Sequence, residues 1–318
     1  MAVPLGWLTD SSEAEVRRAL GAAMPDLTVE TLTIAPRVEQ PNPLYWSSSA
    51  FVNDELVVKF AWSQVRAVRL HREGVLLRRL ASRAPALRLP HVVALHADPV
   101  VVATERLAGE PLSWEAASGL RGRRLERVAG DLADFLLRLH RLPARATLAG
   151  LPEVAPRAQS DTTLLRARFG RLIDDERGRL VRRWCDWIDN VLTGRRTDAV
   201  LVHGDLHGHN QLWDLDAGEL VAVLDLEECG VGDPHFDFRY LPGNSSSSAL
   251  VLAVVDAYRR RSGADISLER VMAWHILTAL GDALWRTEAA VDLPGGGDPG
   301  SWVDDVRGRL EALGVAPP

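Results

Sequence analysis

Apolar and polar residues alternate along much of the first third of the chain, which is the pattern of half-buried β-strands. The alternation predicts strands within three segments: 28–35, 51–62 and 91–107. Within the second segment Asn53-Asp54 favours a hairpin turn, and within the third Asp98-Pro99 separates two apolar runs. Apolar residues at helical spacing predict helices over 12–23 and 63–83, and the proline- and serine-rich stretch 36–50 is predicted to be a loop.

Helical spacing of the apolar residues dominates the chain after Gly109. Helices are predicted over 113–141, 162–193, 245–262, 267–290 and 299–313. A compact segment at 199–228 interrupts them with a strand, a loop, a short strand, a turn and a further strand. We place the domain boundary near 107–111, which gives an N-terminal domain, 1–107, and a C-terminal domain, 108–318. The pattern predicts an α+β protein whose β-rich part precedes a mainly helical part.

Polar residues that suit phosphoryl transfer lie in the segment 199–228. The run from His203 to Asn210 is His-Gly-Asp-Leu-His-Gly-His-Asn, and Asp225 ends the next apolar stretch. Phosphoryl transfer requires a group that orients the acceptor hydroxyl, ligands for Mg²⁺, and cations on the nucleotide phosphates. Asn210 and Asp225 offer the amide and carboxylate oxygens that Mg²⁺ prefers, which leaves Asp205 to face the acceptor.

The use of lysine singles out one further residue. Lys59 is the only lysine among 37 basic residues, and arginine fills every other basic position. Lysine is a compact point charge and arginine is a planar fork, so a chain that avoids lysine elsewhere can keep one where a fork does not fit. By itself this observation is equally compatible with the chance survival of a surface lysine.

The chain resembles the aminoglycoside phosphotransferase family, which has a bilobed protein-kinase-like fold. In that family the catalytic loop has the pattern His-Gly-Asp-x-x-x-x-Asn, as the run from His203 to Asn210 has here. The metal-binding aspartate of the family stands between apolar residues and is followed by an acid, as Asp225 is in Leu224–Glu227. Gly232-Asp233-Pro234 matches a further short pattern of the family, and the resemblance covers roughly residues 28–290.

The resemblance implies an enzyme that transfers a phosphoryl group from ATP, with Mg²⁺, to a hydroxyl of a small cationic molecule such as an aminoglycoside antibiotic. Such an activity would serve antibiotic resistance or self-protection. Asp205 would be the catalytic residue, and Asn210 and Asp225 the metal ligands. His203 and Asp237 are expected to brace the catalytic loop.

The nucleotide site follows from the same resemblance. The residues that it implies are Lys59, Glu73, Ser47, Ser48, Ser49, Glu105 and Leu107. Lys59, on a predicted strand, would contact the α- and β-phosphates, and Glu73 on the following helix would pair with it. Backbone groups of residues 103–107 would hold adenine. The phosphate loop expected at 44–50 has no glycine, so serine N–H and hydroxyl groups would contact the phosphates, and an ordinary polar turn is the alternative.

Acidic residues are the candidates for the acceptor site, because amino groups bind carboxylates. The residues proposed to contact the acceptor are Glu227, Glu228, Asp282 and Trp285. The last two lie three positions apart and therefore on one face of a predicted helix. The alternative is that Asp282 lies on a solvated face and Trp285 in the core. Asp233 could join the acidic cluster or cap the helix that follows it.

Composition narrows the class of protein. The chain has 318 residues, a formal charge of −6 and two cysteines, Cys185 and Cys229, which suggest no disulfide framework. The absence of a basic run argues against a nucleic-acid polymer as partner, and no apolar run approaches the ~20 residues that span a membrane. We expect a cytoplasmic enzyme that is a monomer or a dimer.

Three alternatives remain at this point. His203, His207 and His209 with Asp205 and Asp225 could be the ligands of a metallohydrolase, although that leaves Lys59 and Glu73 without a role. The chain could also bind a nucleotide without turnover. Finally, the kinase could act on another acceptor: a macrolide, an amino sugar, an amino alcohol, homoserine or a peptide antibiotic.

Overall fold

A computed structural model describes most of the chain in two compact units. The described residues are 4–10, 12–35, 47–158, 160–173, 176–194, 197–293 and 296–317. The first unit consists of Met1–Gly109, Arg145–Glu153 and Val221–Glu227, and the second of Glu110–Ala144, Val154–Leu220 and Glu228–Pro318. Two segments of the predicted C-terminal domain, 145–153 and 221–227, therefore belong to the first unit. Residues 36–46, most of the predicted loop, lie outside the described residues.

The first unit is built on an antiparallel sheet. Its strands are β1 (Leu32–Ile34), β2 (Ser47–Val52), β3 (Leu56–Ala61), β4 (Val92–Ala97) and β5 (Val100–Glu105). They lie in the order β1-β2-β3-β5-β4. Asn53 and Asp54 turn the chain between β2 and β3 with φ of 52° and 55°, as the predicted hairpin requires. In the register of this hairpin, Ser49 is directly opposite Lys59.

The first unit also contains the helices α1 (Glu13–Ala23) and α2 (Gln64–Arg83). The α2 helix begins where the Ser63 hydroxyl accepts a hydrogen bond from the Arg66 N–H. Gly74 lets α2 approach the sheet closely, because a Cβ atom there would lie only 2.7 Å from Leu95 Cδ1 of β4. This close packing buries Glu73, the residue before the glycine.

The remaining elements are further helices and five short strands. The helices are α3 (Trp114–Gly119), α4 (Gly122–His140), α5 (Ala144–Leu148), α6 (Thr162–Leu164), α7 (Gly170–Leu172), α8 (Glu176–Gly194), α9 (Ala249–Ser262), α10 (Leu268–Glu288) and α11 (Pro299–Ala312). The strands are β6 (Glu110–Pro111), β7 (Val200–Val202), β8 (Gln211–Asp214), β9 (Glu219–Val223) and β10 (Gly230–Gly232). A three-stranded sheet has the order β6-β8-β9, and β7 pairs with β10.

Each unit has its own apolar core. In the first, Leu20 of α1 packs with Val58, Phe60 and Val101 of the sheet. In the second, side chains of α8, α10 and α11 form an extensive cluster, which includes Trp184, Ile276 and Val303. No helix in the described part of the chain is both long enough and apolar enough to cross a membrane.

Several predicted elements differ from the structure. Ser47–Ser49, predicted as part of a loop, lie in β2, because pairing with β3 extends the strand beyond what serine propensity favours. The helix predicted over 113–141 is interrupted at Leu120, whose ψ of 130° is extended. The helix predicted over 162–193 is replaced by α6, a π-helical turn, α7 and α8. The strand predicted over 28–35 shortens to β1.

Candidate active site

Lys59, Glu73 and Asp225 meet in the first unit. The Lys59 ammonium donates to Glu73 Oε1 at 3.0 Å and Oε2 at 3.3 Å, and to Asp225 Oδ1 at 3.1 Å. Strand β3 supplies the lysine, helix α2 the glutamate, and the residues after β9 the aspartate. Glu73 is anchored further, because its Oε1 accepts from the Leu226 N–H at 3.3 Å. The sequence predicted the first pair, and the structure adds Asp225 to it.

The charges of this cluster keep the lysine protonated. Burial acts to lower the pKa of Lys59, but the carboxylates of Asp225 and Glu73 outweigh it and raise that pKa. The Lys59 side chain is 32% exposed and that of Asp225 is 34% exposed, whereas Glu73 is 3% exposed. Glu73 thus serves as a buried brace, and the other two present charged atoms at a surface. Asp225 has a left-handed backbone with φ of 62°.

A second ion pair lies beside this cluster in the first unit. Arg66 of α2 binds both carboxylate oxygens of Glu227, at 2.9 and 2.7 Å. The same guanidinium donates to the Ser47 hydroxyl at 3.1 Å. The Ser48 hydroxyl accepts from Trp62 Nε1 at 2.9 Å. Glu227 was proposed as an acceptor contact from sequence, and the structure pairs it with an arginine that no sequence pattern singled out.

The predicted adenine-binding residues follow strand β5. Glu105, the last residue of β5, donates its backbone N–H to His91 O at 3.1 Å, and Arg106 donates to Glu55 O at 2.7 Å. Leu107 lies outside the strands, and its backbone forms no hydrogen bond with any other residue that the structure describes. Its N–H and C=O are therefore available to a ligand.

Asp205 is held by four side chains in the second unit. Its Oδ1 accepts from the Tyr240 hydroxyl at 2.7 Å and lies 3.7 Å from the Arg239 guanidinium. Its Oδ2 lies 3.5 Å from His207 Nε2 and 3.4 Å from Asn210 Nδ2. The side chain of Asp205 is therefore fixed in one orientation while 29% of it is exposed.

These partners keep Asp205 ionised despite its burial. Burial alone would raise the pKa of this carboxyl, but His207, the Tyr240 hydroxyl and Arg239 together lower that pKa to about 2. Burial and the nearby carboxylate raise the pKa of Tyr240, so its hydroxyl stays a hydrogen-bond donor. A carboxylate of this kind can accept a hydrogen bond from an acceptor hydroxyl.

Buried side chains brace the loop that carries Asp205. Two of them, His203 and Asp237, were predicted to do so. Asp237 accepts from the His203 and Gly204 N–H groups at 2.8 and 2.9 Å and contacts His140 Nε2 at 3.1 Å. His203 Nδ1 accepts from the Asp205 N–H at 3.1 Å. Asn210 Nδ2 donates to the Asp205 carbonyl at 2.8 Å, which closes the loop. The loop is pre-organised by buried, hydrogen-bonded groups.

A cavity of about 1220 Å³ opens beside Asp205 within the second unit. Its walls come from the start of α3, the catalytic loop, residues 240–248, helix α10 and helix α11. His207 and His209 both line it, with ring centroids 6.0 Å apart, and His207 packs edge-on against Tyr240. The cavity is large enough for an antibiotic-sized molecule.

The structure separates the four predicted acceptor contacts. Asp282 lines the cavity and also pairs with Arg286 at 2.8 Å, whereas Trp285 is not among the described residues that line it. Trp285 instead lies under the Arg286 guanidinium, 5.7 Å from its ring centre. The carbonyl of Glu228 packs against Gly204, so Glu228 supports the loop that carries Asp205. Glu227 lies in the first unit and not among the cavity residues.

Asp233 caps the short helical turn that follows it and is not open to an acceptor. It accepts from the His235 N–H at 3.0 Å, from Arg270 Nε at 2.5 Å and from Trp274 Nε1 at 2.9 Å. Hydrogen bonds from the side chains of His235, Trp274 and Arg270 lower the pKa of its carboxyl against the effect of burial. The capping alternative from the sequence is therefore the one that the structure shows.

Sequence reasoning missed several residues around the cavity. The missed residues are Tyr240, Arg239, Asn244, His275 and Arg309. Each of them lies at least 34 positions along the chain from Asp205, and none belongs to a recognisable short pattern. Within the described residues, no group of three or more His, Cys, Asp or Glu side chains is arranged to hold a metal ion.

Comparison with known proteins gives matches of three kinds. The sequence model of the phosphotransferase enzyme family APH matches residues 40–275. Viomycin phosphotransferase of Streptomyces vinaceus is 29% identical over 195 residues, which cover 58% of this chain and 66% of the relative. Streptomycin 6-kinase of Streptomyces griseus is 31% identical over 172 residues, which cover 51% of this chain and 52% of the relative. The chain thus spans less than two thirds of the length of either curated relative.

Solved structures resemble the fold over nearly the whole chain. The GDP complex of wild-type aminoglycoside 2'-phosphotransferase-IIIa superposes with a TM-score of 0.68 at 18% identity, and covers 95% of this chain and 98% of that one. The likeness confirms the predicted α+β, protein-kinase-like fold.

Proposed function

Because the chain belongs to the phosphotransferase enzyme family, we propose that it transfers the γ-phosphoryl group of ATP to a hydroxyl of an aminoglycoside-type antibiotic. The resemblance expected from the catalytic loop is thereby confirmed at the level of the family. Phosphorylation of such a molecule in the cytoplasm, where ATP is available, would protect the cell that carries this enzyme. One of the two curated relatives is named streptomycin 6-kinase, which supports an aminoglycoside-type acceptor.

One observation carries the proposal: an ionised, immobilised Asp205 faces a cavity that fits a small molecule. The carboxylate lines the cavity of about 1220 Å³, and Tyr240, Asn210 and His207 hold it in place. A carboxylate in such a setting orients a hydroxyl, and positioning is the main protein contribution to phosphoryl transfer.

The reaction can be followed at Asp205. Oδ1 accepts a short hydrogen bond from Tyr240, whereas the contacts of Oδ2 with Asn210 and His207 are long, at 3.4 and 3.5 Å, so the acceptor hydroxyl would donate to Oδ2. The hydroxyl oxygen bonds to the γ-phosphorus as the bond from that phosphorus to the bridging oxygen of ADP breaks. The hydroxyl proton passes to Oδ2, and the products are ADP and a phosphate ester. With its pKa near 2, Asp205 is a weak base, so it accepts the proton late, when transfer to phosphorus is already advanced.

The nucleotide site is proposed for the first unit. The Lys59 ammonium would contact the α- and β-phosphates while Glu73 fixes its position. Ser49 is opposite Lys59 on β2 and so shares its face of the sheet, which makes its hydroxyl the best placed of the three serines to bind phosphate. The open N–H and C=O of Leu107, with Glu105, would hold adenine.

Mg²⁺ fits the chemistry of two further residues. Asp225 offers a carboxylate that is one third exposed, and the Asn210 Oδ1 accepts no hydrogen bond from the described residues. Hard oxygen ligands of this kind suit Mg²⁺. When bound, the ion would neutralise charge on the nucleotide phosphates. Asn210 and Asp225 would hold it.

The experiment that tests this function compares Asp205→Asn with Asp216→Asn, an exposed aspartate in the turn after β8. ATP consumption is measured with a panel of aminoglycosides, macrolides, peptide antibiotics and amino alcohols. Loss of the base is expected to lower turnover by roughly 10²–10⁴-fold. ADP should still raise the melting temperature of both variants. An Asp205→Asn enzyme with near wild-type turnover, or a wild type that consumes no ATP with any acceptor, would contradict the proposal.

A further inference from the structure

An ion pair in the first unit has no part in the proposed reaction. Arg66, in the first turn of α2, binds Glu227 with two parallel hydrogen bonds, from NH1 to Oε1 at 2.9 Å and from NH2 to Oε2 at 2.7 Å. Both side chains are largely withdrawn from water, with 12% and 16% of their surfaces exposed. Such a pair contributes little net stability, because the loss of hydration offsets the attraction between the charges. Its further contact indicates what else it does.

The further contact of the Arg66 guanidinium is a serine hydroxyl. The NH2 group donates to Ser47 Oγ at 3.1 Å, at the start of β2. A hydroxyl that accepts from an N–H group cannot direct its own proton at that group, so the proton of Ser47 points elsewhere. In the described part of the chain no acceptor takes this proton, although Ser47 is only half-buried. Arg66 therefore orients a donor that these residues leave unused.

Ser47 shares a face of the sheet with the proposed phosphate-binding groups. Alternate residues of a strand lie on one face, which places Ser47 on the side of Ser49, and Ser49 is directly opposite Lys59. Helix α2 contacts the same face twice. Its Arg66 binds Ser47, and its Glu73, about two turns further along, binds Lys59. The free donor of Ser47 thus lies on the side of the sheet from which Lys59 would bind the phosphates.

The neighbouring serine has the opposite orientation. Ser48 is 8% exposed, and its hydroxyl accepts from Trp62 Nε1 at 2.9 Å. It lies on the other face of β2, together with Ala50 and Val52, which belong to the core that includes side chains of α1. Ser48 therefore faces away from the Lys59 side of the sheet, and it provides a control within the same strand.

The bonds of Arg66 decide whether the guanidinium or the serine would meet a phosphate. Three of its five N–H groups are bound to Glu227 and Ser47, and a fourth, on Nε, is buried. At most one N–H is left for a ligand, and Glu227 already balances the charge. The guanidinium therefore acts on a ligand through the Ser47 hydroxyl, which donates more strongly because it accepts from a cation.

The absence of glycine before β2 explains why such a hydroxyl is required. A glycine-rich loop can bring its backbone close to the phosphates that it covers, because no side chain intervenes. Residues 44–50 contain no glycine, so this approach is restricted and donors from side chains have to replace it.

We propose that Arg66 is a positioning residue of the nucleotide site, which directs the Ser47 hydroxyl to a phosphate oxygen of the bound nucleotide and so replaces a glycine-rich loop. Glu227 holds the guanidinium, which assigns this acid to the nucleotide and not to the acceptor. The inference rests on the proposed function, because it concerns the nucleotide of that reaction.

Calorimetric binding of ADP with Mg²⁺ tests this inference without requiring turnover. The variants are Arg66→Met, Ser47→Ala and the two combined. The controls are Ser48→Ala, in the same strand, and Arg78→Met, which removes an exposed arginine of the same helix. Melting temperatures without nucleotide verify that each variant is folded.

Arg66→Met and Ser47→Ala should each weaken ADP binding at least about tenfold, through loss of one hydrogen bond to a charged phosphate. The double variant should bind no more weakly than the weaker single variant, because both changes remove the same contact. A merely structural role of Arg66 would instead give additive losses. Ser48→Ala and Arg78→Met should change the affinity less than about twofold.

Additive losses, unchanged affinity in either single variant, or an equal loss in Ser48→Ala would overturn the inference, as would a wild type that does not bind ADP. Turnover of an antibiotic with no effect of Arg66→Met on ADP binding would overturn this inference and leave the reaction standing. A wild type that binds ADP in the Arg66-dependent way but consumes no ATP with any acceptor would refute the reaction and not this site.

Discussion

Around the cavity, the neighbours of a buried residue decide whether it carries a charge. Asp205 and His275 are both largely withdrawn from water, and burial disfavours the charged form of each. Asp205 remains ionised because Tyr240, His207 and Arg239 stabilise its charge. His275 remains neutral because its neighbours are a carbonyl and a guanidinium, which offer no negative charge. The two residues therefore respond to acid in different ways.

His275 should make the protein sensitive to mild acid. Its pKa is about 3 in the folded protein, against an ordinary value of 6.5. Below pH ~6.5 the unfolded chain binds a proton that the folded protein excludes, so stability is present above this pH and is lost as the pH falls toward 3. The contribution of His275 to this loss should approach ~1.4 kcal/mol per pH unit.

Urea unfolding between pH 7 and pH 4 measures the effect. His275→Asn should be less stable than the wild type at pH 7, because Arg309 loses its partner, yet its stability should fall less on acidification. The exposed His209→Asn serves as control and should keep the wild-type slope. Parallel profiles for all three proteins would show that His275 titrates normally.

At the scale of elements, the loop between β7 and β8 depends on backbone geometry. Gly204 has φ of 88°, and a Cβ atom on it would lie 2.3 Å from the Glu228 carbonyl oxygen. Asp237 binds the N–H groups of His203 and Gly204, so the loop cannot shift to relieve a clash without losing these bonds. The residue type at 204 is therefore fixed by both conformation and space.

Gly204→Ala should therefore lower the free energy of unfolding much more than the same replacement at another left-handed glycine that has open space around it. Gly263, which ends α9 with φ of 70°, is the matched control, because a Cβ atom on it would meet nothing within 4 Å. Gly263→Ala should cost about 1 kcal/mol from backbone strain alone. Gly204→Ala should cost several times more and lose turnover, as judged by melting temperature and ATP consumption. Equal costs would mean that the loop tolerates a Cβ atom.

At the scale of the whole molecule, the first unit is assembled from three separate stretches of chain. Arg72 of α2 is 1% exposed and donates to the Pro152 carbonyl at 2.8 Å and to the Glu227 carbonyl at 3.2 Å. Arg79 donates in the same way to the carbonyls of Thr147 and Ala149. Arginines on one helix thus hold both returning segments of this unit.

A fragment that ends at Gly109 should therefore fail to fold cooperatively. It lacks the Pro152 and Glu227 carbonyls that accept from Arg72, and removing such partners of a buried charge costs about 3–5 kcal/mol, a large part of the stability of a small domain. Thermal unfolding followed by circular dichroism should show no sharp transition for the fragment, and the same fragment with Arg72→Met should be better ordered. A fragment that melts sharply with Arg72 intact would show that residues 1–109 suffice.

Local signals in the sequence determined several elements and the spacing of polar residues in the loop from His203 to Asn210. Ser63 and the apolar spacing after it specify α2, and Asn53-Asp54 specify a turn, because both act on neighbours a few residues away. The spacing of Asp205 and Asn210 matches the hydrogen bonds that close one loop. The pair between Lys59 and Glu73 followed from the resemblance, since a strand and the next helix of this fold bring those positions together.

Only the tertiary structure decided what surrounds these groups. Ser47–Ser49 became a strand because β3 offered them partners, not because of their own propensity. Tyr240 meets Asp205 across 35 residues, His275 meets Arg239 across 36, and Arg309 meets His275 across 34. Such contacts leave no periodic or spaced pattern in the chain, because each depends on how helices and loops pack. For that reason the sequence predicted Asp205 as the reacting carboxylate, and packing alone placed Tyr240, His275 and Arg309 around the cavity beside it.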